Sequence, residues 1–129
     1  MQPVGIVLVS HSAELASGLR MLLGQLGVAP ESVIAAGGTA DGRIGTSYDA
    51  IAAAIKHADQ GSGVVVLPDL GSSVITARAV LEDHGHAGVI LVDAPFVEGA
   101  VAAAVTAATG ADLTTVTTAA QEARHATKF

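Results

Sequence analysis

His11 stands between two serines in Val7-Leu8-Val9-Ser10-His11-Ser12, where an apolar run ends and a helical pattern begins. Near neutral pH an imidazole offers one ring nitrogen as a nucleophile while the other serves as a donor. It can therefore carry a group covalently, a phosphoryl group included, provided that something fixes its tautomer. A carboxylate does so by accepting a hydrogen bond from one nitrogen, and it stabilises the cationic ring that forms when the other has reacted. Asp69 is the candidate, following the apolar run Val64-Val65-Val66-Leu67-Pro68 and preceding Leu70-Gly71-Ser72-Ser73. At a helix mouth, Gly71, Ser72 and Ser73 would present N–H and O–H donors to an anion, with Gly37, Gly38 and Thr39 closing the other side. The same spacings also suit a histidine that only turns the chain and an aspartate that only caps a helix. Spacing by itself leaves both readings open.

Whether these residues meet depends on the elements that carry them. Val4 to Val9 is apolar except for Gly5, the pattern of a strand buried on both faces. Ser12 is placed to cap a helix in which Leu15, Leu19, Leu22, Leu23 and Leu26 recur at helical spacing, with Gly27 at its end. Ser32 to Ala36 predicts a second strand, leading into a long aperiodic loop from Gly37 to Ser47. Thr46 or Ser47 caps a second helix with Ile51, Ala52 and Ile55 inward. A third strand is expected over Gly63 to Leu67, a third helix from Gly71 to about Asp83, and a fourth strand over Gly88 to Val92. A fourth helix follows from about Phe96 to Ala108, and Asp112 caps a last one from about Leu113 to Ala126.

This alternation predicts an α/β fold: a three-layer, doubly wound, mostly parallel sheet of four or five strands with helices on both faces. Residues 1–129 read as a single domain, with its core over about 4–110 and a C-terminal helix over about 113–126. All strand carboxyl ends then share one rim, which collects His11, the Gly37–Ser47 loop, Asp69 to Ser73 and Asp93-Ala94-Pro95. In open α/β sheets ligands bind along that rim.

Composition narrows the chemistry further. The chain has 129 residues, 50% hydrophobic but only 2% aromatic, so its core is built from Ala, Val, Leu and Ile. Six basic against twelve acidic residues give a formal net charge of −6. With no basic stripe and few rings to stack on bases, nucleic acid is not an expected partner. Cysteine is absent, which excludes disulfides and thiolate chemistry. Gly99 to Ala108 is about half the ~20 residues that cross a bilayer. Pro3 to Val9 is too short and too poor in positive charge for a signal peptide. No membrane insertion is expected, and the location expected is the cytoplasm. The Gly37–Gly42 stretch lacks the Gly-Lys-Ser/Thr of a Walker loop. His84-Gly85-His86 has no third ligand nearby, so neither metal nor cofactor is expected. His57 and His125 read as exposed helix residues, and Ser10 and Ser12 lie too close in sequence to His11 to form a hydrolase triad with it.

Several separated blocks carry a resemblance. They are Val9-Ser10-His11-Ser12 with Leu15-Ala16-Ser17-Gly18, Gly37-Gly38-Thr39, Asp41-Gly42-Arg43-Ile44-Gly45-Thr46-Ser47, Pro68-Asp69-Leu70-Gly71-Ser72-Ser73, and Asp93-Ala94-Pro95-Phe96-Val97-Glu98-Gly99-Ala100. In this order they resemble the mannose-type EIIA domains of the bacterial phosphotransferase system, over about Val4 to Gly110. Ser12, where sugar-transporting relatives usually carry glycine, and the Asp-Gly-Arg-Ile-Gly-Thr-Ser and Asp-Leu-Gly-Ser-Ser blocks resemble the branch that serves phosphoenolpyruvate-dependent dihydroxyacetone kinase. The resemblance implies a transiently phosphorylated histidine at His11, with phosphate on the ring nitrogen away from Asp69, and Asp69 as the group orienting the ring. It implies active-site loops at Gly38, Thr39, Ser72 and Ser73, and a homodimer. The implied reaction is phosphotransfer: HPr donates to His11, which passes the group to ADP in the nucleotide-binding subunit of the kinase. The regenerated ATP then phosphorylates dihydroxyacetone on a third subunit. Fused HPr-like and enzyme-I-like domains, present in some relatives, are not in this sequence, so separate donors are expected. Two alternatives are a sugar-specific mannose-type EIIA domain and a non-catalytic regulatory module on the same scaffold.

Overall fold

The structure, a computed structural model, describes residues 2–85 and 87–129. Four strands, β1 (Gly5–Ser10), β2 (Val33–Gly37), β3 (Val64–Pro68) and β4 (Val89–Leu91), form one parallel sheet in the order β2-β1-β3-β4. Five α-helices complete it: α1 (Ala13–Gln25), α2 (Tyr48–Ala58), α3 (Gly71–His84), α4 (Phe96–Ala108) and α5 (Leu113–Glu122). The three-layer α/β fold expected from the alternation is the one observed, with four strands.

Strand alternation divides the core in two. On one face Ile6, Leu8, Val65 and Leu67 pack with Leu19 and Leu23 of α1, the alanines of α4, and Val116 and Ala120 of α5. On the other, Val7, Val9, Val64 and Val66 pack with Ile51, Ala54 and Ala58 of α2 and Ala77 and Val80 of α3. The buried stripe of α4 is Gly99, Ala100, Ala103, Ala104 and Ala107, small residues that bring its backbone close to the sheet.

The register of α1 differs from the leucine pattern. Ala16, Leu19 and Leu23 are buried, whereas Leu15, Leu22 and Leu26 are exposed. The 3.6-residue repeat aligns positions 16, 19 and 23, and a small residue at 16 lets the helix start lie against the end of β2. In α2 it is Ile51, Ala54 and Ala58 that are buried, while Ala52 and Ile55 are partly covered. The last helix is shorter than expected: α5 stops at Glu122 and tightens into a 3₁₀ turn over Ala123–His125. There Arg124 donates from Nη2 to the Asp93 carbonyl, tying the chain end to the end of β4. Among the described residues no helix is long and apolar enough to cross a membrane.

The chain leaves β1 on one side to reach β2 through α1, and β3 lies on the other side of β1. The crevice between the carboxyl ends of β1 and β3 is therefore the topological switch point, where such sheets open to ligands. Register aligns Val9 with Pro68, so the next residues, Ser10-His11 and Asp69, emerge side by side.

Candidate active site

Beyond the last paired residues, the Asp69 N–H still bonds the Val9 carbonyl at 2.9 Å. That bond turns the Asp69 side chain back toward β1. His11 Nδ1 donates to Asp69 Oδ1 at 3.0 Å, and the His11 backbone N–H donates to Oδ2 at 3.1 Å. Three further donors complete the carboxylate shell. Ser73 Oγ reaches Oδ1 at 2.7 Å, the Leu70 N–H reaches the same oxygen at 2.7 Å, and Ser10 Oγ reaches Oδ2 at 2.9 Å.

This shell decides the charge. Burial pushes the Asp69 carboxyl up, but donation from Ser73, the His11 backbone, Ser10 and the His11 ring outweighs it and holds the pKa down at about 2. Asp69 is thus an anion at neutral pH and can only accept. The proton between it and the imidazole must sit on Nδ1, which leaves the lone pair on Nε2. Ser73 Oγ, 3.1 Å from Nδ1, shares that N–H as an acceptor while giving its own proton to Asp69.

Nε2 points away from the carboxylate, toward the start of α3, where the Ser72 hydroxyl donates to it. The His11 side chain is 18% exposed and that of Asp69 only 9%, so the nucleophilic end is open to an incoming group while its orienter is sheltered. Ser72 and Ser73 are adjacent in α3 with divided tasks: Ser72 stands at the reacting nitrogen, and buried Ser73 holds the aspartate. At the start of α3 the Ser73 N–H bonds the Leu70 carbonyl at 3.0 Å, which leaves the Gly71 and Ser72 amides as the ends without an intrahelical acceptor, and no side chain caps the helix at Leu70. Such a helix start carries partial positive charge, and its Ser72 is the residue at Nε2.

On the opposite wall, Gly38 donates its N–H to the Ser10 carbonyl at 3.1 Å. Thr39 gives its hydroxyl proton to Asp41 and accepts the Arg43 N–H at 3.0 Å, so its side chain is engaged within its own loop. Neither faces Nε2 with a free donor here; both shape the loop. Gly37 allows that loop to leave β2, because a Cβ there would sit 2.5 Å from the Ser12 carbonyl oxygen. The loop then crosses back to the site, with the Gly45 N–H on the His11 carbonyl at 2.9 Å and Thr46 Oγ1 2.7 Å from Thr76 Oγ1 of α3.

Two contributors escaped the sequence reading. Ser10, set aside as too near His11 for a triad, is fully buried and bonds Asp69. Its position as the last residue of an otherwise apolar strand is the signal that marks it. Gly45 had no signal beyond lying in a glycine-rich loop. Ser12 caps α1 by accepting the Leu15 N–H at 3.1 Å, and Ser47, rather than Thr46, caps α2. The remaining histidines lie elsewhere. His57 bonds its own helix through the Ala53 carbonyl, His125 is exposed, and the His84 ring lies tilted on Tyr48 at 5.9 Å. His86, of the His84-Gly85-His86 run, lies outside the described residues. Among the described residues no group of three or more His, Cys, Asp or Glu comes together as a metal site.

Fold and site together define a class: a doubly wound parallel domain presenting a carboxylate-oriented histidine at its switch point. Comparison with known proteins identifies the family. The model of the EIIA-man family, described as the PTS system fructose IIA component, matches residues 5–117, and the chain belongs to this family. It is 39% identical over 104 residues to the phosphoryl donor subunit DhaM of PEP-dependent dihydroxyacetone kinase 1 from Listeria innocua, covering 80% of this chain and 81% of that protein. It is 36% identical over 107 residues to the phosphotransferase subunit DhaM of the PTS-dependent dihydroxyacetone kinase from Lactococcus lactis, covering 83% and 85%. A crystal structure of a protein of unknown function superposes with a TM-score of 0.79 at 36% identity, covering 95% of both chains.

Proposed function

We propose that this chain is the phosphoryl-carrier subunit of a dihydroxyacetone kinase driven by the phosphotransferase system, working in the cytoplasm through phosphohistidine at His11. The observation that carries the reading is the Nδ1–H bond to Asp69 at 3.0 Å, which leaves Nε2 unprotonated and facing outward. The family and the DhaM relatives support the assignment to the kinase.

In the first step the Nε2 lone pair attacks the phosphorus of phosphohistidine on HPr. The donor P–N bond breaks in line, and its electron pair returns to the donor imidazole. As the Nε2–P bond forms, the His11 ring becomes cationic, and Asp69 at Nδ1 balances that charge. The Ser72 hydroxyl turns from Nε2 to a phosphoryl oxygen, beside the first amides of α3. Such transfer depends on positioning and charge stabilisation more than on covalent machinery. In the second step a β-phosphate oxygen of ADP, held by the nucleotide subunit, attacks the same phosphorus. The Nε2–P bond breaks, its electrons return to the ring, and ATP forms.

Exposed apolar side chains lie on the segments that carry the site. Leu70 follows Asp69, Ile44 precedes Gly45, and Ile75 lies one helical turn beyond Ser72; they are 62%, 76% and 70% exposed. A partner docking over His11 covers them and excludes water from the transfer.

The test is incubation with enzyme I, HPr and phosphoenolpyruvate, followed by mass spectrometry. The chain gains one acid-labile phosphate and His11→Ala gains none. Addition of the ADP-loaded kinase subunit then yields ATP. An unmodified wild-type chain removes the carrier reading in favour of a regulatory module. Phosphate passed to a sugar-transporter subunit but not to ADP moves the chain to the sugar branch.

A further inference from the structure

Asp χ2 torsions are broad and set by their surroundings, so the direction in which a carboxylate presents its lone pairs must be imposed from outside. In this site the two oxygens are held from different elements. The start of α3 holds Oδ1 through Ser73 and the Leu70 N–H, whereas Oδ2 is held from the end of β1 by Ser10 Oγ at 2.9 Å and the His11 N–H at 3.1 Å. Ser10 is fully buried, and its oxygen already accepts the Ser12 N–H at 3.0 Å. Its single proton therefore has one direction left, toward Asp69. The hydroxyl links the first turn of α1, which His11 precedes, to the carboxylate on the end of β3.

We propose that Ser10 is a positioning residue for phosphoryl transfer: its hydroxyl fixes the plane of the Asp69 carboxylate and, through it, keeps the His11 proton on Nδ1 and the lone pair on Nε2. The inference about transfer rests on the carrier reading above; the inference about the tautomer does not. Without the hydroxyl, Oδ2 keeps only the His11 N–H, the carboxylate gains freedom about χ2, the Nδ1–H bond loses alignment, and the tautomer protonated on Nε2 gains population. That tautomer has no lone pair where the phosphorus must arrive.

The experiment compares wild type, Ser10→Ala and Ser10→Cys by ¹⁵N NMR of the His11 ring in the unphosphorylated chain, alongside the rate of phosphoryl uptake from phospho-HPr. In Ser10→Ala the Nε2-protonated tautomer rises and uptake slows about tenfold, the scale of one hydrogen bond to a charged group. Ser10→Cys keeps the shape with a weak donor and falls between the two. It also carries the test by itself should the alanine variant fail to fold. A purely structural role for Ser10 predicts a lower melting temperature with the wild-type tautomer and the wild-type rate per folded molecule, and that result overturns the proposal. A tautomer shift in a chain that takes up no phosphate upholds the link from Ser10 to the ring while ending the carrier reading.

Discussion

The charge on Asp69 is the property from which the tautomer of His11 follows, because an anion there forces the ring proton onto Nδ1. Its pKa is lowered from 3.8 to about 2, so its contribution to stability has a definite pH window. The unfolded chain takes up the proton first as pH falls, so the contribution is fully present above about pH 4 and is lost as pH drops through about 2. At ~1.4 kcal/mol per pH unit this amounts to roughly 2–3 kcal/mol, little screened because the side chain is sheltered. Asp69→Asn lacks this contribution. The gap in unfolding free energy between wild type and Asp69→Asn, followed by urea titration, is expected to be constant near neutrality and to shrink between about pH 4 and pH 2. A gap independent of pH would show that the five donors do not act on a charge. On the proposed carrier reading the same variant is expected to transfer phosphate more slowly at pH 7 with its fold retained, since an amide can orient the ring but not balance its positive charge.

At the scale of elements, the site is held where the start of α1, the end of β2 and the loop before α2 cross. Gly37 is the contact point: a Cβ there would meet the Ser12 carbonyl oxygen at 2.5 Å, Ala13 Cα at 2.8 Å and Ala16 Cβ at 2.9 Å. Two of these atoms are backbone, so relief requires the helix start to move, and His11 moves with it. Gly37→Ala is expected to lower the unfolding free energy by about 1–3 kcal/mol, read from a denaturant midpoint, and to slow phosphoryl uptake in the molecules that remain folded. Stability and rate both at wild-type levels would mean that α1 is free to slide outward. Most of the elements were legible from local patterns. Gly and Pro punctuate them, Ser12 and Asp112 cap where expected, and α4 spans Phe96–Ala108 as read. The inward face of α1 was not legible, because a leucine-rich helix offers more apolar positions than the sheet can cover. The choice of Ala16 over Leu15 follows from what β2 places beside it.

As a whole, the molecule is an acidic body of formal net charge −6 with exposed apolar side chains, Ile44, Leu70 and Ile75, on the segments that carry the site. A carrier of the kind proposed would meet two partners in turn over the same atom, which favours a shallow, apolar, releasable contact over a deep pocket. Ile75→Glu changes an exposed residue and should leave the melting temperature nearly unchanged, since surface substitutions typically stay within about 0.5 kcal/mol. It is expected to raise the KM for phospho-HPr about tenfold by placing a charge in the core of the contact. Met21→Glu makes the same chemical change on exposed α1 and is expected to leave the KM unchanged. Equal effects from both would assign the loss to overall charge.

The sequence by itself determined the alternation of strands and helices, and with it a parallel sheet whose carboxyl ends share one rim. These follow from hydrophobic period and turn chemistry over a few neighbouring residues. It also marked His11, Asp69 and Ser72 as rim residues, since polar side chains interrupt apolar runs there. Only the tertiary structure decided that His11 and Asp69, 58 positions apart, meet at 3.0 Å. It alone divided the work between Ser72 and Ser73, turned the Thr39 hydroxyl back into its loop and brought Ser10 into the shell. The reason is physical: period and propensity are local, whereas a hydrogen bond depends on tenths of an ångström set by strand register and by the last turn of every element that packs nearby.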